Sequence, residues 1–384
     1  MIPLTFALLG PSPSLDQLAR FTFQLEAARS WLLEADAVRW PEQLLADYKQ
    51  HGRASELARM LATAQRIRDH VDRVVVLGDR GICLGAQALM EACREPYFNE
   101  LSRAERGSRP RMYFAGDSFD NDAVQGLLHL LGNGSEANGI DERWAIVVID
   151  PGGESLETKV ALQQFLAVLR RSCGTRQQLV PELVVPVTRA DSPLFRLTQA
   201  MQCRDTILLP ASADDRLSLF TAAGLLPAAL LRLDVVQLLE GMHNTNERFR
   251  NSPLGQNPVL DYANLSLALN DRGRLRVWSK SLASAALWYE HLRTGTAEST
   301  DGKRFVTHVI VDRWRHNPLP AIDSGERTWP ELMRSALAEA ILADQAAGRI
   351  TAELHLPLLD EAGLGQFLQM LLLSTALVSR VDVP

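Results

Sequence analysis

The sequence predicts an α/β protein: two tandem doubly wound parallel-sheet units behind an N-terminal helical segment. Three observations carry that prediction. Short, near-continuous apolar runs rich in β-branched residues recur from Arg73 onward. Amphipathic stretches of helical period separate them, and strands alternating with helices pair in parallel through crossovers. The runs also fall into two sets, one between 74 and 210 and another between 274 and 357. At 384 residues the chain has room for two domains of the usual size, roughly 150 residues each.

Taken in order, MIPLTFALLG is apolar but has no basic leader and no small-residue cleavage site, so it reads as a packed N-terminal segment. Residues 14 to 70 read as helices. Leu15, Leu18, Phe21 and Leu25 recur at helical spacing, as do Leu57, Met60, Leu61, Ala64 and Ile67. The first strand set is VVVL at 74–77, RMYFAG at 111–116, WAIVVID at 144–150, LVVPV at 183–187 and TILLP at 206–210. Helical patterns at Leu84–Cys93, Ala123–Leu131 and Glu157–Arg171 lie between them. The second set is RLRVW at 274–278, VTHVIV at 306–311 and AELHLP at 352–357, flanked by helices near 281–292, 330–346 and 360–378. The expected division is a helical segment at 1–55, a first α/β domain at 56–235 and a shorter second one at 236–384, joined around the helix Val235–Glu240.

Composition narrows the function. With 46% hydrophobic and 22% charged residues, the chain can bury a core. Lys+Arg 40 against Asp+Glu 46 gives a net charge of −6 and a pI near 5.8. That balance argues against binding nucleic acid by phosphate neutralisation. Cys83, Cys93, Cys173 and Cys203 form no CxxC pair and have no His at metal-ligand spacing, so neither a disulfide framework nor a metal site is expected, and a reducing cytoplasm fits. The apolar run from Phe367 to Val378 contains Gln369 and is too short to span a bilayer, so no membrane partner is expected.

Ligands of open parallel sheets bind at the carboxyl ends of strands. Three such ends carry chemistry. In VVVLGDRGICLGAQAL, Gly78 and Gly81 lie between strand and helix, where glycine lets a ligand approach the backbone and the helix N-terminus attracts anions. A plain tight turn explains them equally well. In IVVIDPGGESLETKVAL, Ser155 and Thr158 fall in the first turn of the next helix, either as hydroxyl donors to an anion or as an N-cap arrangement. In TILLPASADDRLSLFTAAGLLPAAL, Arg216 sits between strand and helix, with Asp214 or Asp215 available as a salt-bridge partner.

These segments, in this order, resemble the glucose-6-phosphate isomerase family from about residue 56 to the end. LDVVQLLEGMHNTNERFR, VWSKSLASAALWYEHL, VTHVIVDRWRHNPLP and LDEAGLGQFLQMLLLSTAL carry the same resemblance to a bacterial branch of it. The resemblance implies two sugar-isomerase (SIS) domains and a homodimer. It implies interconversion of glucose 6-phosphate and fructose 6-phosphate through an enediolate, without a cofactor. It also implies a sugar-phosphate ligand held by hydroxyls and helix N-termini, a His and a Lys that open the ring, a Glu base and a stabilising Arg.

Carried over residue by residue, Arg216 matches the family's Gly-Arg-aromatic-Ser turn, with Asp215 and Leu217 replacing the glycine and the aromatic and Ser218 retained. The phosphate segment keeps Ser155, Glu157 and Thr158, but Asp150, Gly152 and Glu154 replace hydroxyl residues. The first glycine turn keeps Gly78 and Gly81 and loses its serine to Ile82. Only the short stretch Tyr289–Phe305 separates Trp288 from the VTHVIV strand, where the family has a longer one. TGTAESTDGK therefore aligns in two ways. Either Glu298 is the base, or the segment is the remnant just before the strand; counting from Leu292 puts the base position at Gly295 and favours the remnant. His308 lies inside the strand pattern and reads as structural. The chain ends at Pro384, ahead of the segment that supplies the family's Lys. The expectation is thus a degenerate isomerase of weak or no activity. The alternative is a non-catalytic protein that binds a sugar phosphate or assembles with an active paralogue. A further expectation is that Arg80 pairs with Asp150 or Glu154 in the space a phosphate would fill.

Overall fold

The computed structural model of the protein describes residues 2–10, 13–132, 134–137, 139–210, 219–293, 304–321 and 327–381. Nine strands are described: β1 (Thr5–Leu9), β2 (Arg73–Leu77), β3 (Arg111–Ala115), β4 (Trp144–Ile149), β5 (Val184–Thr188), β6 (Ile207–Leu208), β7 (Arg274–Val277), β8 (Phe305–Val311) and β9 (Ile350–Leu356). They form two sheets, ordered β3-β2-β4-β5-β6 and β1-β9-β8-β7. The chain divides into two compact units, Arg39–Val236 with the first sheet and Met1–Val38 plus Gln237–Pro384 with the second. The first 38 residues therefore go with the second unit rather than standing as a separate helical segment. MIPLTFALLG supplies the edge strand β1, which pairs antiparallel to β9, Thr5 opposite His355.

In the first unit every strand pair is parallel. Burial follows position in the sheet, as parallel pairing with helices on the faces requires. Every residue of β4 and β5 is buried, whereas the edge strands β3 and β6 are partly open. TILLP contracts to two paired residues, Ile207 and Leu208. Pro186 of β5, with no N–H to donate, lies just before the stretch that β6 reaches. The helix Ala222–Leu230 is buried on all sides and packs on the helices Glu56–His70 and Arg80–Cys93.

The register of this sheet is fixed at its amino end by Asp72, which is fully buried. Its N–H donates to the Arg143 carbonyl at the start of β4, 3.1 Å, and its carbonyl accepts from the Arg111 N–H of β3, 2.7 Å. Its carboxylate accepts both a two-pronged bond from the buried Arg106, 2.9 and 2.8 Å, and further bonds from Arg103 and Arg111. Such a group is held by its partners and is costly to orphan.

In the second unit, the helix Glu361–Val381 packs on Pro258–Leu269. It is long and apolar enough to cross a membrane by length and composition, and 89% of its most apolar window is buried within the protein, as in a core helix. Its polar interruption, Gln369, donates to the Asn246 side chain at 2.7 Å. At the crossing with the helix Val235–Asn251, a Cβ on Gly365 would lie 2.2 Å from the Leu238 carbonyl oxygen and one on Gly241 2.0 Å from that of Ala362. Only glycine permits that approach.

One face of the second sheet is polar. Arg276, His308 and Glu353 lie side by side across β7, β8 and β9. The helix Trp329–Ala346 delivers Asp344, 1% exposed, to this row. Its carboxylate receives Arg276 at 2.9 Å and Arg349 at 2.7 Å. His308 is fully buried; its Nδ1 accepts from the Trp278 indole N–H at 3.2 Å, which leaves the ring proton on Nε2, 3.2 Å from Asp344 but outside hydrogen-bonding geometry. Burial and Arg276 lower its pKa, so it is a neutral structural histidine.

Asp72→Ala is expected to strip the counter-charge from buried Arg106 and cost about 3–5 kcal/mol, read as a fall in the urea midpoint of unfolding. An unchanged midpoint would show that backbone bonds alone hold the sheet's register.

Candidate functional site

The site is built where β2, β3 and β4 end. β2 and β3 each run five residues in register, Leu77 opposite Ala115, so the turns after them lie level. After β2 comes Gly78, whose N–H donates to the Ala115 carbonyl at 3.1 Å. A Cβ there would meet the Ile149 carbonyl oxygen at 3.2 Å and the Ile82 side chain at 2.8 Å. Gly78 is thus required by the packing of the turn itself. Asp79 caps the helix Arg80–Cys93, accepting from the Ile82 N–H at 2.9 Å, and Gly81 sits half-buried in its first turn. A carboxylate already stands at this helix N-terminus.

After β3 comes Gly116, with φ +88°, the left-handed region that favours glycine. A Cβ on it would lie 3.4 Å from the Gly78 nitrogen, 3.4 Å from Thr158 Cα and 3.5 Å from Ala161. Three strand-end turns therefore meet at Gly116, bringing Gly78 and Thr158 together. Gly116 closes the run RMYFAG, and a glycine directly after a β-run is the signal that marks it.

After β4, the turn 150–154 leads to Ser155, the N-cap of the helix Leu156–Cys173. Ser155 Oγ accepts from the Thr158 N–H at 3.1 Å, and its hydroxyl donates to Thr158 Oγ1 at 2.9 Å. The Thr158 hydroxyl, buried, donates in turn to the Gly116 carbonyl at 3.1 Å. Both hydroxyl protons are engaged in this chain. A ligand can take the Ser155 proton by rotation about Cβ–Oγ while Oγ keeps its capping role.

Asp150 is buried at the base of the same turn, its Oδ1 accepting the Gly153 N–H at 2.8 Å. Burial raises its pKa and Asp79 adds to the rise, opposed by the Gly153 and Glu154 amides and by Lys159. Its carbonyl accepts from Thr188, whose hydroxyl is paired with Ser192. The turn is pinned from outside by Pro193, 2.8 Å from where a Cβ on Gly153 would sit. Cys83 lines the floor, its thiol directed at the Gly78 and Ala115 carbonyls; burial pushes its pKa far up, so it is an inert thiol. A depression of about 310 Å³ opens beside the turn after β3, lined by Tyr113, Gly116, Asp117, Ser118, Leu127 and Leu130.

The expected ion pair of Arg80 is not formed. Arg80 and Glu154 are exposed, and among the described residues Arg80 makes no salt bridge with Asp150 or Glu154. Asp150 instead turns inward to its own loop amide, a closer partner than a flexible surface guanidinium. Arg216, with Asp214, Asp215 and Ser218, lies outside the described residues, as does Glu298.

No family model matches the chain. Among solved structures, it is similar to a hypothetical protein of Thermus thermophilus, with a TM-score of 0.77 at 21% identity, covering 95% of this chain and 91% of that one. It is also similar to a glucose-6-phosphate isomerase of Chlamydia trachomatis, with a TM-score of 0.65 at 16% identity, covering 93% and 73%. The fold is the mixed α/β architecture of the sugar-isomerase (SIS) type. Curated relatives named glucose-6-phosphate isomerase match in sequence. That of Levilactobacillus brevis is 27% identical over 253 residues, 65% of this chain and 54% of the relative. That of Lactococcus lactis subsp. cremoris is 24% identical over 311 residues, 79% and 66%. These matches make the chain similar to proteins named glucose-6-phosphate isomerase. The chain spans about half the length of the first of these relatives.

The geometry leads to two measurable expectations. Ser155→Ala removes an N-cap and should cost about 1 kcal/mol in thermal or urea unfolding. Asp150, with its native pKa raised above the unfolded value, binds its proton more tightly when folded. Its contribution to stability therefore falls as pH rises from the ordinary Asp range through the raised value, and levels off beyond it. Melting the protein and its Asp150→Asn variant across about pH 3 to 8 should show the variant gaining on the parent as pH rises through that window. A constant difference would mean that Asp150 titrates normally.

Proposed function

We propose that this protein binds a sugar phosphate at the turns after β2, β3 and β4, and that its isomerase turnover is weak or absent. The family reaction is the interconversion of glucose 6-phosphate and fructose 6-phosphate. The observation that carries the binding reading is the convergence of Gly78, Gly116, Ser155 and Thr158 at neighbouring strand ends. It gives a polar, backbone-rich floor next to a helix N-terminus, the setting in which phosphates are held. The reading places Gly78, Gly81, Ser155 and Thr158 at the phosphate, Arg216 as the stabiliser of developing negative charge, and Glu298 as the base in the alignment that keeps one. The location is the cytoplasm, consistent with four free cysteines.

Two features support low turnover. Asp150 engages a loop amide that would otherwise face an anion. A carboxylate within about 4 Å of a phosphate charge costs about 4 kcal/mol at an effective dielectric near 20. His308 is fully buried against Trp278 and Asp344, where it cannot reach a sugar ring oxygen. General acid–base groups contribute about 10²–10⁴-fold each, so loss of one or two brings the rate down by orders of magnitude. The second reading is a non-catalytic sugar-phosphate-binding or assembly protein, as a homodimer or with a paralogue; the engaged Asp150 favours it.

A coupled assay at high enzyme concentration should give turnover at least about 100-fold below a working isomerase. Calorimetry should still detect glucose 6-phosphate, with affinity raised by Asp150→Ser. Robust turnover that Arg216→Ala abolishes would overturn the weak-activity reading. Absence of any heat with glucose 6-phosphate, in the parent and in Asp150→Ser, would overturn binding and leave assembly, which a mass measurement with and without the paralogue then tests.

A further inference from the structure

The amino ends of β2 and β3 carry many arginines and few acids. Asp72 takes up Arg103, Arg106 and Arg111. Beyond it stand Arg68, Arg109 and Arg232, none of which forms an ion pair among the described residues. Arg68 closes the helix Glu56–His70, and its guanidinium reaches the Ala229 carbonyl and the Gln65 side chain while its Nε is buried without a partner. Arg109, just before β3, donates to the Arg106 carbonyl at 3.1 Å, and its Nε is likewise buried and unpartnered. Both Arg232 and Arg109 bear electrostatically on Arg68, whose pKa is pushed down to about 10 by burial first and then by Arg232, with Asp69 opposing.

Arg232 itself occupies an unusual position. The helix Ala222–Leu230 ends in a Schellman arrangement, with the Leu233 N–H on the Ala228 carbonyl at 3.0 Å and the Arg232 N–H on the Ala229 carbonyl at 2.9 Å. The residue between must be left-handed, and Arg232 has φ +56° where glycine would be unstrained. It adds a third cation to a group that already repels itself.

We propose that Arg68, Arg109 and Arg232 form a binding site for a small phosphate-type oxyanion at the amino end of the first sheet. The site is distinct from the strand-end turns, because the five residues of β2 put about 17 Å between the two ends. A multivalent oxyanion relieves the mutual repulsion of three guanidiniums and matches their forked donors, which a monovalent halide does not.

The test is calorimetry and thermal melting of the full chain with inorganic phosphate and pyrophosphate, against sodium chloride at equal ionic strength. The expected result is saturable binding with a raised thermal midpoint, tighter for pyrophosphate. Arg232→Ala should weaken it about tenfold or more, the size of one lost charged hydrogen bond. Ser155→Ala lowers the anion-free midpoint through its lost cap and removes any response from the strand-end turns, but should leave in place the part of the anion response that Arg232→Ala removes. Arg232→Glu should abolish the anion effect and raise the midpoint of the anion-free protein, because it removes the repulsion; a purely structural arginine would lower it. Three results would each overturn the proposal: a response no larger than that to chloride, binding that both Arg232 variants leave intact, or binding lost in Ser155→Ala and kept in Arg232→Ala. The last would place the anion at the strand-end turns and so bear on the sugar-phosphate reading instead.

Discussion

The first sheet hangs on one buried carboxylate. Asp72 joins β2 to β3 and β4 through its own backbone, and its side chain gathers the arginines that close the sheet's amino end. Register set there propagates along the strands, because a slip of one residue would turn every side chain to the other face. That is why Gly78 and Gly116 emerge level and why the helix from Leu156 can place Thr158 against both. The candidate site is thus specified from the opposite end of the sheet, by groups that never approach a ligand there.

At the strand ends, packing and binding place competing demands on the same atoms. Gly78 is glycine because the Ile149 carbonyl and Ile82 leave no room for a side chain, and Ser155 is serine because a helix needs a cap. Either demand alone accounts for the residue, so neither residue by itself announces a ligand. What distinguishes the arrangement is the joint geometry of three turns, two engaged hydroxyls and one inward carboxylate. Similarity to proteins named glucose-6-phosphate isomerase is what links that geometry to a sugar phosphate in the proposed reading, and the inward Asp150 is what sets this chain's turn apart.

Much of the architecture was legible in the sequence. Strand runs such as WAIVVID and VTHVIV are apolar on both faces and bounded by turns, and β4 and β8 fall on them within a residue. Other features were hidden for physical reasons. MIPLTFALLG carries no alternation that marks an edge strand, and its partner β9 lies at the far end of the chain, with Thr5 on His355. Leu15 fits a helical stripe yet remains exposed, since periodicity shows a face but not what covers it. In the site, the glycine and hydroxyl positions could be read, but the direction of a side chain could not. Asp150 and Arg80 look like a charge pair on paper, whereas the carboxylate finds a loop amide three residues on.

The helix Trp329–Ala346 is attached to its sheet by charge as well as by a modest apolar area. Of its eighteen residues only Leu337 and Asp344 are buried, while Trp329 and Leu342 face outward. Beyond Leu337 its apolar contacts are only half-buried, at Leu332, Met333 and Ile341, and polar bonds add to the hold, through Arg276 and Arg349 on one carboxylate and Gln345 on Thr351. Detachment of such a helix is a local opening, well below the free energy of global unfolding. Its amides should therefore exchange with deuterium well ahead of those in the fully packed helix Glu361–Val381, and the polar row of Arg276, His308 and Glu353 would be bared to water each time it opens.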